Sequence, residues 1–457
     1  MRELLVKVSG RTSLHMPATG GRAPLRPLRA YRWDTTELPV TDDLYRPTGA
    51  IAEAERLIAI SARAEATLLL HGGSTAGIHA MFLYAARRGD AVILPRNAHL
   101  SAVNICVTAG IEPVFAEPSF TPEGRVYTTP EAYAQALDAC PRAAAVFALH
   151  GDYYGLCGDI AGIARVAHAR GRLLMCDEAH GATRNWRRDL PNAGALGADL
   201  FVQSAHKTLP ALTSAAWLHA MAGIDVDRLR ATLRMVQTSS PSFLTMLSLD
   251  DARAWMDAHG EKRCERLLSE MECFRRKAAA LGYADGQSAP PDGFRYDRLR
   301  LVLRAPEGGG TLQHVLAQRK VDVEMSDADH IVCIVPLIGG ERALRRLLAA
   351  LRLTARARET EPLKPISGQP QARRPLVWPP RALSPDVAAF APGEPLLPAD
   401  AVGRVSAVCV GLYPPGVAWL IAGDAVTPEI AELIAQTPQE SLFGLDANGR
   451  LRCVKPA

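Results

Sequence analysis

One lysine of this chain is placed where its amine could bind an aldehyde. Lys207 belongs to Ser204-Ala205-His206-Lys207-Thr208, which comes just after the apolar run 198–202, and such a run predicts a buried strand. Open α/β sheets bind their ligands at strand ends. Lys207 can therefore form a Schiff base with pyridoxal phosphate (PLP), with Ser204 and His206 as hydrogen-bond donors to the phosphate. For Lys207 taken alone, a surface lysine in a loop is the alternative.

A second apolar stretch, 171–176, predicts another strand, and it ends in the acidic residue Asp177. PLP withdraws electrons only while its ring nitrogen is protonated, and a carboxylate such as Asp177 keeps that proton in place. Ala179 is small enough to lie under a flat ring, and His180 can reach the ring oxygen or the substrate. A helix N-cap is the alternative role of Asp177.

These two segments, 177–180 and 204–208, resemble the PLP-dependent Orn/Lys/Arg decarboxylase family in its short bacterial form, which has no N-terminal receiver-like domain. The resemblance implies an α/β fold of the aminotransferase-like type (fold type I), with a mostly parallel sheet in a large domain and with small α+β and C-terminal subdomains. It also implies decarboxylation of lysine, ornithine or arginine to a polyamine or its precursor. The predicted catalytic residues are Lys207, His206 and His180.

A predicted phosphate site precedes both segments. The stretch 66–79 predicts a strand, a turn with Gly73, Ser74 and Thr75, and then an apolar helix. Free N–H groups and the positive end of the helix dipole then point at an anion. A plain helix cap is the alternative, but in the family that the chain resembles this turn holds the PLP phosphate.

Three further cofactor contacts are implied by the resemblance. His99, in Arg96-Asn97-Ala98-His99-Leu100-Ser101, matches a family histidine that stacks on the PLP ring; a loop histidine is the alternative. Thr238 and Ser239 belong to a hydroxyl-rich loop that, in the family, approaches the phosphate of the neighbouring subunit's cofactor. Ordinary turn chemistry is the alternative for this pair.

The composition restricts the class of protein. A chain of 457 residues with 48% hydrophobic content can bury one large core and a smaller one. Its net charge of +4 is spread along the chain, which argues against nucleic acid or a membrane surface as a partner. The nine cysteines have no CxxC spacing and predict a reduced, cytoplasmic protein without a metal site. No stretch indicates export or membrane insertion.

The order of patterns along the chain predicts five parts. They are an N-terminal arm (1–45), a PLP-binding large domain (46–255), a small α+β subdomain (256–356), a Pro-rich linker (357–400) and a C-terminal decarboxylase-family domain (401–457). Because an extended arm needs another surface to hold it, we expect a homodimer or a higher homo-oligomer.

The chain departs from the family pattern at two places. Ala18-Thr19-Gly20 replaces a Gly-His-Lys core in the arm, and Val408 replaces a glutamate in the C-terminal domain. These changes favour an altered substrate or reaction, and no acidic pocket that would distinguish lysine, ornithine and arginine can be read from the sequence.

The predicted mechanism ends with the return of a proton to the α-carbon, for which Lys207 or His206 is the candidate donor. A PLP-dependent aminotransferase or other lyase on the same fold is the main alternative. An arginine that faces Lys207 would favour it, and Arg404 is a candidate. A catalytically silent interaction protein is the remaining alternative, against which the retained Asp177 and Lys207 argue.

Overall fold

The computed structural model of the protein describes residues 12–14, 42–287, 289–360 and 377–456. Its helices are α1 Ala50–Ala62, α2 Gly73–Ala85, α3 Leu100–Ala109, α4 Pro130–Ala139, α5 Ile160–His168, α6 Ala205–Thr208, α7 Val226–Val236, α8 Phe243–Ala279, α9 Gly309–Gln318, α10 Gly340–Thr360, α11 Pro385–Phe390 and α12 Pro428–Gln436. Its strands are β1 Thr12–Leu14, β2 Ala66–Leu70, β3 Ala91–Leu94, β4 Glu112–Phe115, β5 Ser119–Phe120, β6 Val126–Tyr127, β7 Ala143–Leu149, β8 Leu156–Cys157, β9 Leu173–Asp177, β10 Leu200–Gln203, β11 Ala216–Ala220, β12 Ala284–Asp285, β13 Arg295–Tyr296, β14 Arg300–Arg304, β15 Val321–Val323, β16 Met325–Ser326, β17 His330–Ile334, β18 Gly393–Leu396, β19 Val410–Leu412, β20 Val417–Leu420, β21 Leu442–Phe443 and β22 Leu451–Val454.

Seven of these strands build a mostly parallel central sheet, which confirms the predicted α/β class. The chain divides into two units. The first unit consists of residues 1–80, 150–161 and 176–366, and the second of residues 81–149, 162–175 and 367–457.

In the first unit the strand order is β2, β11, β10 and the end of β9. Strand β11 runs antiparallel to both of its neighbours, with Ala216 opposite Leu70 and Ala220 opposite Leu200. The apolar run 212–219 predicts this return strand, and the observed strand begins at Ala216, four residues after the start of that run. Both β10 and β11 are buried along their whole length, as expected of near-continuous apolar strands in the middle of a sheet.

Helix α2 follows β2 directly, as the strand, turn and helix pattern predicts. Its close packing depends on Gly77, because a Cβ atom there would lie 2.7 Å from Val202 Cγ2 and 2.8 Å from Leu70 Cδ1. Glycine therefore lets the helix lie directly on the ends of β2 and β10, and the N-terminus of α2 is fixed beside the residues that follow these strands.

The predicted α+β elements also belong to the first unit. Strands β12, β14, β17 and β16 form an antiparallel sheet in that order. The long helix α8 packs on it through residues such as Leu267 and Met271 in a continuous core with Leu301. The amphipathic pattern predicts this long helix from about Leu249. It begins six residues earlier, at Phe243, because the Ser242 side chain accepts a hydrogen bond from the Thr245 N–H (3.3 Å) and caps the helix.

In the second unit, β3 lies parallel between β7 and β4, and its four residues are fully buried. The C-terminal strands form a β18–β22 pair and a small sheet of β20, β19 and β21. Helix α11 and strand β18 lie inside 357–400, where the sequence predicts a linker. Ordered elements begin there because β18 pairs with β22 along four residues, from Gly393 opposite Val454 to Leu396 opposite Leu451.

Within the N-terminal arm (1–45) the structure describes residues 42–45 and strand β1, whose backbone pairs in parallel with β15. The Ala18-Thr19-Gly20 departure and residues 361–376 of the predicted linker lie outside the described residues. All nine cysteines are described, and none forms a disulfide. Within the four described ranges, no helix combines the length and the apolar composition that a membrane crossing requires.

We expect Gly77→Val to destabilise the fold by about 1–3 kcal/mol, because the added methyl groups would overlap the Val202 and Leu70 side chains. Urea unfolding with an unchanged m value would measure the loss. Ala258→Val, at an exposed position of helix α8, is the matched control and should change the free energy of unfolding by less than about 0.5 kcal/mol. Equal stability of the two variants would contradict the packing role of Gly77.

Candidate active site

Lys207 lies in the one-turn helix α6, directly after β10. The segment is held from both sides, since the Ser204 N–H donates to the Ala179 carbonyl (3.2 Å) and the His206 N–H donates to the Ala215 carbonyl (3.3 Å). Burial lowers the pKa of the Lys207 amine below its usual range, although the carboxylates of Asp177 and Glu324 act in the opposite sense. The amine therefore loses its proton more readily than an exposed lysine does.

The Lys207 amine contacts His180. Its Nζ atom lies 3.2 Å from His180 Nε2, and the other ring nitrogen, Nδ1, lies 2.9 Å from Nη2 of the buried Arg300. The ring of Tyr153 packs against the imidazole with a centroid separation of 4.6 Å. The imidazole of His180 is thus held by Arg300, Tyr153 and Lys207, and its Nε2 atom contacts the amine of the predicted catalytic lysine.

Asp177 and Ala179 lie where β9 ends, and both are buried. The Asp177 side chain accepts a hydrogen bond from the Ala179 N–H (2.9 Å), which fixes the carboxylate in the turn that leads to His180. The Asp177 carbonyl accepts from the His150 N–H (2.8 Å). Asp177, Ala179, His180, Ser204 and Lys207 are thus brought together within the first unit by the ends of two strands.

The Gly73-Ser74-Thr75 turn lies beside helix α6. The Gly73 N–H donates to the Ser214 carbonyl (2.9 Å), one residue before the Ala215 carbonyl that binds His206. Gly73 has φ +72°, a backbone conformation that favours glycine, and the turn opens helix α2 as predicted. The Gly73 N–H is thus already bonded, but the following N–H groups of the first helical turn have no intrahelical partners and can hold an anion.

His206 is oriented by the backbone. Its Nδ1 lies 3.0 Å from the Ala215 carbonyl oxygen, which can only accept, so Nδ1 carries a proton. Burial lowers the pKa of His206, and a neutral ring then presents Nε2 as an acceptor. A hydrogen bond from His206 to phosphate would need the imidazolium, whose formation burial opposes.

Thr238 and Ser239 are exposed on the loop between α7 and α8. The Thr238 hydroxyl accepts from the Ser240 N–H (3.2 Å), and the Thr238 carbonyl accepts from the Tyr45 hydroxyl (2.6 Å). The preceding Gln237 binds the start of the phosphate turn, because its Oε1 accepts from the His71 N–H (3.1 Å). No described contact brings Thr238 or Ser239 to Lys207.

His99 belongs to the second unit, where it caps helix α3. Its Nδ1 accepts from the Ser101 N–H (3.2 Å), and the Leu100 N–H donates to the Gly416 carbonyl (2.8 Å). A Cβ atom at Gly416, which has φ +81°, would lie 2.9 Å from His99 Nε2. The Tyr-Pro-Pro-Gly segment of the C-terminal part thus supports the predicted ring-stacking histidine, a contact that sequence reasoning missed.

Comparison with known proteins gives the family. The family model described as Orn/Lys/Arg decarboxylase, major domain, matches residues 30–288. The protein YaaO of Bacillus subtilis (strain 168) is 30% identical over 88% of this chain and 85% of its own length. The chain belongs to the Orn/Lys/Arg decarboxylase family. It is a PLP-dependent amino-acid decarboxylase of fold type I.

Two further similarities follow the family match. The arginine decarboxylase of Bacillus anthracis is 27% identical over 90% of this chain and 85% of its own length. The structure of lysine decarboxylase A from Pseudomonas aeruginosa has a TM-score of 0.79 and 18% identity, and the match covers 99% of this chain and 82% of that one. The latter likeness concerns the fold.

Unpaired buried hydroxyls test whether this decarboxylase fits PLP. Ser204 Oγ and Thr208 Oγ1 are buried and have no hydrogen-bond partner among the described residues. Ser204 directly precedes helix α6 and Thr208 ends it, so the two hydroxyls lie on either side of Lys207 in the chain, and Thr208 lines the same cavity as His180 and Arg300. An unpaired buried hydroxyl costs free energy unless a ligand binds it, so this arrangement fits a phosphorylated cofactor attached at Lys207.

A buried ion pair supports the end of β9. Glu178 and Arg184 are both inaccessible to solvent, and Arg184 Nη1 donates to Glu178 Oε1 (2.9 Å) while Gln203 Nε2 donates to Oε2 (2.6 Å). Burial raises the pKa of Glu178 to about 7, against the opposing effects of Arg184 and Gln203. Because both oxygens accept hydrogen bonds, the geometry is that of an ionised carboxylate.

The residue that the sequence prediction missed in this site is Arg300. It opens β14 and is buried, with Nη2 on His180 and with Nη1 lacking a partner among the described residues. The sequence did contain a signal for Arg300, because this arginine lies between Leu299 and Leu301 in an apolar strand. An arginine inside such a strand has to be buried, and a buried arginine needs a polar partner within the fold.

The two residues suspected of altering the chemistry lie in the second unit. Arg404 is paired with Glu394 (2.6 Å) and also donates to the Val454 carbonyl (2.8 Å). Val408 packs against the C-terminal hydrophobic cluster that includes Trp419. The local packing of Val408 is therefore apolar, as suits the valine that replaces the family glutamate.

Glu178→Ala should destabilise the protein by about 3–5 kcal/mol, because Arg184 would keep a buried charge without its closest partner. Chemical denaturation at neutral pH measures this. Glu53→Ala breaks an exposed pair with Arg56 on helix α1 and should leave stability unchanged within error. A loss below about 1 kcal/mol for Glu178→Ala would show that Asp297, 3.5 Å from Arg184, is a sufficient partner.

Proposed function

We propose that this enzyme decarboxylates a basic amino acid, and that its substrate is arginine, which it converts to agmatine, a polyamine precursor. The observation that carries the proposal is the cluster of Lys207, His180 and Asp177 in a chain of this family. Arginine is supported by the Bacillus anthracis relative, which aligns along nine-tenths of the chain.

The proposed roles of the residues follow from their positions. Lys207 would attach the cofactor, Asp177 would keep its ring nitrogen protonated, and Ala179 is small enough to leave room for the ring. Ser204 and the turn Gly73-Ser74-Thr75 would hold the phosphate. When bound, PLP supplies an electron sink for the charge that the departing carbon dioxide leaves on the α-carbon.

After decarboxylation the α-carbon must regain a proton, and two atoms of the site are close enough to each other to supply it. Lys207 Nζ and His180 Nε2 are 3.2 Å apart, so a proton can pass between them. We propose this pair as the donor. His206, the alternative from the sequence, has its Nδ1 proton bound to the Ala215 carbonyl, and its remaining role is to orient helix α6.

The ring-stacking role of His99 and the phosphate role of Thr238 and Ser239 remain proposals that the family resemblance supports. Thr238 and Ser239 are exposed, as residues that reach a partner's cofactor would be. We therefore also propose a homodimer or higher homo-oligomer. The five predicted domains are retained as a proposal, and nine unpaired cysteines support a cytoplasmic location.

A PLP-dependent aminotransferase or other lyase is the second candidate, and one observation favours it. The Arg300 guanidinium is buried near the site and has one nitrogen without a partner among the described residues, as a carboxylate clamp would. The His180 ring, however, separates its other nitrogen from Lys207. The retained cluster argues against a catalytically silent protein.

The reaction is tested by supplying the purified chain with PLP and with arginine, lysine and ornithine separately. We expect carbon dioxide and agmatine from arginine, and no product from Lys207→Ala, because the attachment point is lost. Lys262→Ala, an exposed lysine of helix α8, should retain full activity. A fully active Lys207→Ala chain would refute the proposal, and a 2-oxo acid product would support the aminotransferase.

Asp177→Asn should lower kcat about tenfold to a hundredfold, because a neutral amide no longer stabilises a protonated ring nitrogen. The amide oxygen of the substituted side chain can still accept from the Ala179 N–H, so the fold and PLP binding should persist. Steady-state kinetics and the visible absorbance of the bound cofactor measure the two effects. Asp227→Asn, exposed in the first turn of helix α7, is the control and should leave kcat unchanged.

A further inference from the structure

Arg300, His180 and Lys207 form a chain of hydrogen bonds whose direction can be worked out. Arg300 Nη2 lies 2.9 Å from His180 Nδ1, and Lys207 Nζ lies 3.2 Å from His180 Nε2. A guanidinium group has five N–H donors and no acceptor. Burial lowers the pKa of Arg300, but arginine keeps its charge in proteins. His180 Nδ1 must therefore accept.

The direction of the first hydrogen bond decides the second. With its lone pair on Nδ1, a neutral His180 carries its proton on Nε2. That N–H then points at Lys207 Nζ and needs a lone pair there, which only the neutral amine offers. An ammonium at Lys207 would place its N–H against the N–H of His180 Nε2. The other tautomer of His180 would avoid this clash, but its Nδ1–H would then face an N–H of Arg300.

Other groups around Lys207 act in both directions. The charged and titratable groups that face it are Asp177, Glu324, Arg300, His180, His206 and Tyr153. Tyr153 would favour the ammonium through its ring, but Nζ is 5.8 Å from the centroid, near the outer limit of about 6 Å for that interaction. The carboxylates of Asp177 and Glu324 also favour the ammonium, whereas burial, the charge of Arg300 and the hydrogen bond from His180 favour the free amine.

We propose that Arg300 is a positioning residue that fixes the proton of His180 on Nε2 and so holds Lys207 as the free amine. The free amine is the form that can attack an aldehyde. The inference deepens the proposed function, since it rests on Lys207 as the point of cofactor attachment. It adds a role for a residue of β14, which lies outside the family-model match at 30–288.

The test measures the protonation of Lys207 in the chain without cofactor or substrate. Competitive labelling with acetic anhydride across a pH series, read by peptide mass spectrometry, gives the pKa of this amine. In Arg300→Gln, His180 can accept from an ammonium, so we expect the pKa of Lys207 to rise by about one unit, a tenfold change in the free-amine fraction. Arg304→Gln, exposed at the end of the same strand, should leave it unchanged.

A double-mutant comparison separates the hydrogen-bond chain from the charge of Arg300 acting through space. Arg300→Gln is introduced into the wild-type chain and into His180→Phe. If the rise in the pKa of Lys207 is clearly larger when His180 is present, the inference is supported. If the rise is the same in both backgrounds, Arg300 acts only as a nearby charge and the inference is overturned.

A second measurement reads the proton of His180 directly and does not depend on the folding of the Arg300 variant. Nitrogen NMR of histidine-labelled wild-type chain, with the His180 signals assigned by their loss in His180→Phe, distinguishes the two tautomers. A protonated Nε2 supports the inference, and a protonated Nδ1 overturns it.

These outcomes are independent of the decarboxylation assay. A chain that releases carbon dioxide from none of the three amino acids, yet shows the His180-dependent titration of Lys207, would refute the proposed function and leave the role of Arg300 in place. If the chain decarboxylates one of the three amino acids but Lys207 has the same pKa with and without Arg300, the proposed function stands and the role of Arg300 is refuted.

Discussion

The ion pair between Glu178 and Arg184 holds together the segments that carry the site. Arg184 also donates to the His150 carbonyl (2.6 Å) and to Cys157 Sγ (3.0 Å), and it lies 3.5 Å from Asp297, three residues before Arg300. One buried guanidinium thus contacts the end of β9, the loop before β8 and the segment before β14. Such a pair is strongly destabilising to break, because either partner alone would be a buried charge. The positions of Asp177, His180 and Arg300 all depend on it.

Around this support, the chemistry of the site depends on which groups can only donate and which can only accept. The Ala215 carbonyl sets the proton of His206, and the Arg300 guanidinium sets that of His180. Burial then lowers the pKa of Lys207. A lysine with a lowered pKa is suited to carbonyl chemistry near neutral pH, where an exposed lysine is almost fully protonated. The site is thus prepared before any cofactor binds.

The second unit supplies the C-terminal part, which contains the Tyr-Pro-Pro-Gly segment at 413–416. Gly416 in this segment packs against His99, and only glycine leaves room for the imidazole at that backbone conformation. This contact joins the C-terminal part to the cap of helix α3 within the second unit. The apolar packing of Val408 indicates that the departure from the family pattern at this position is accommodated locally.

The sequence by itself determined the family, the α/β class, PLP and the local motifs, because each rests on neighbouring residues. A strand followed by Ser204 to Thr208 places Lys207 at a sheet end wherever the sheet goes. The structure also moved boundaries, such as the start of α8, where a serine cap was not recognised. Only the tertiary structure brought Arg300 to His180, 120 residues away in the chain. A contact between distant segments leaves no local periodicity, and the direction of a hydrogen-bond chain is decided only once its donors and acceptors are in place.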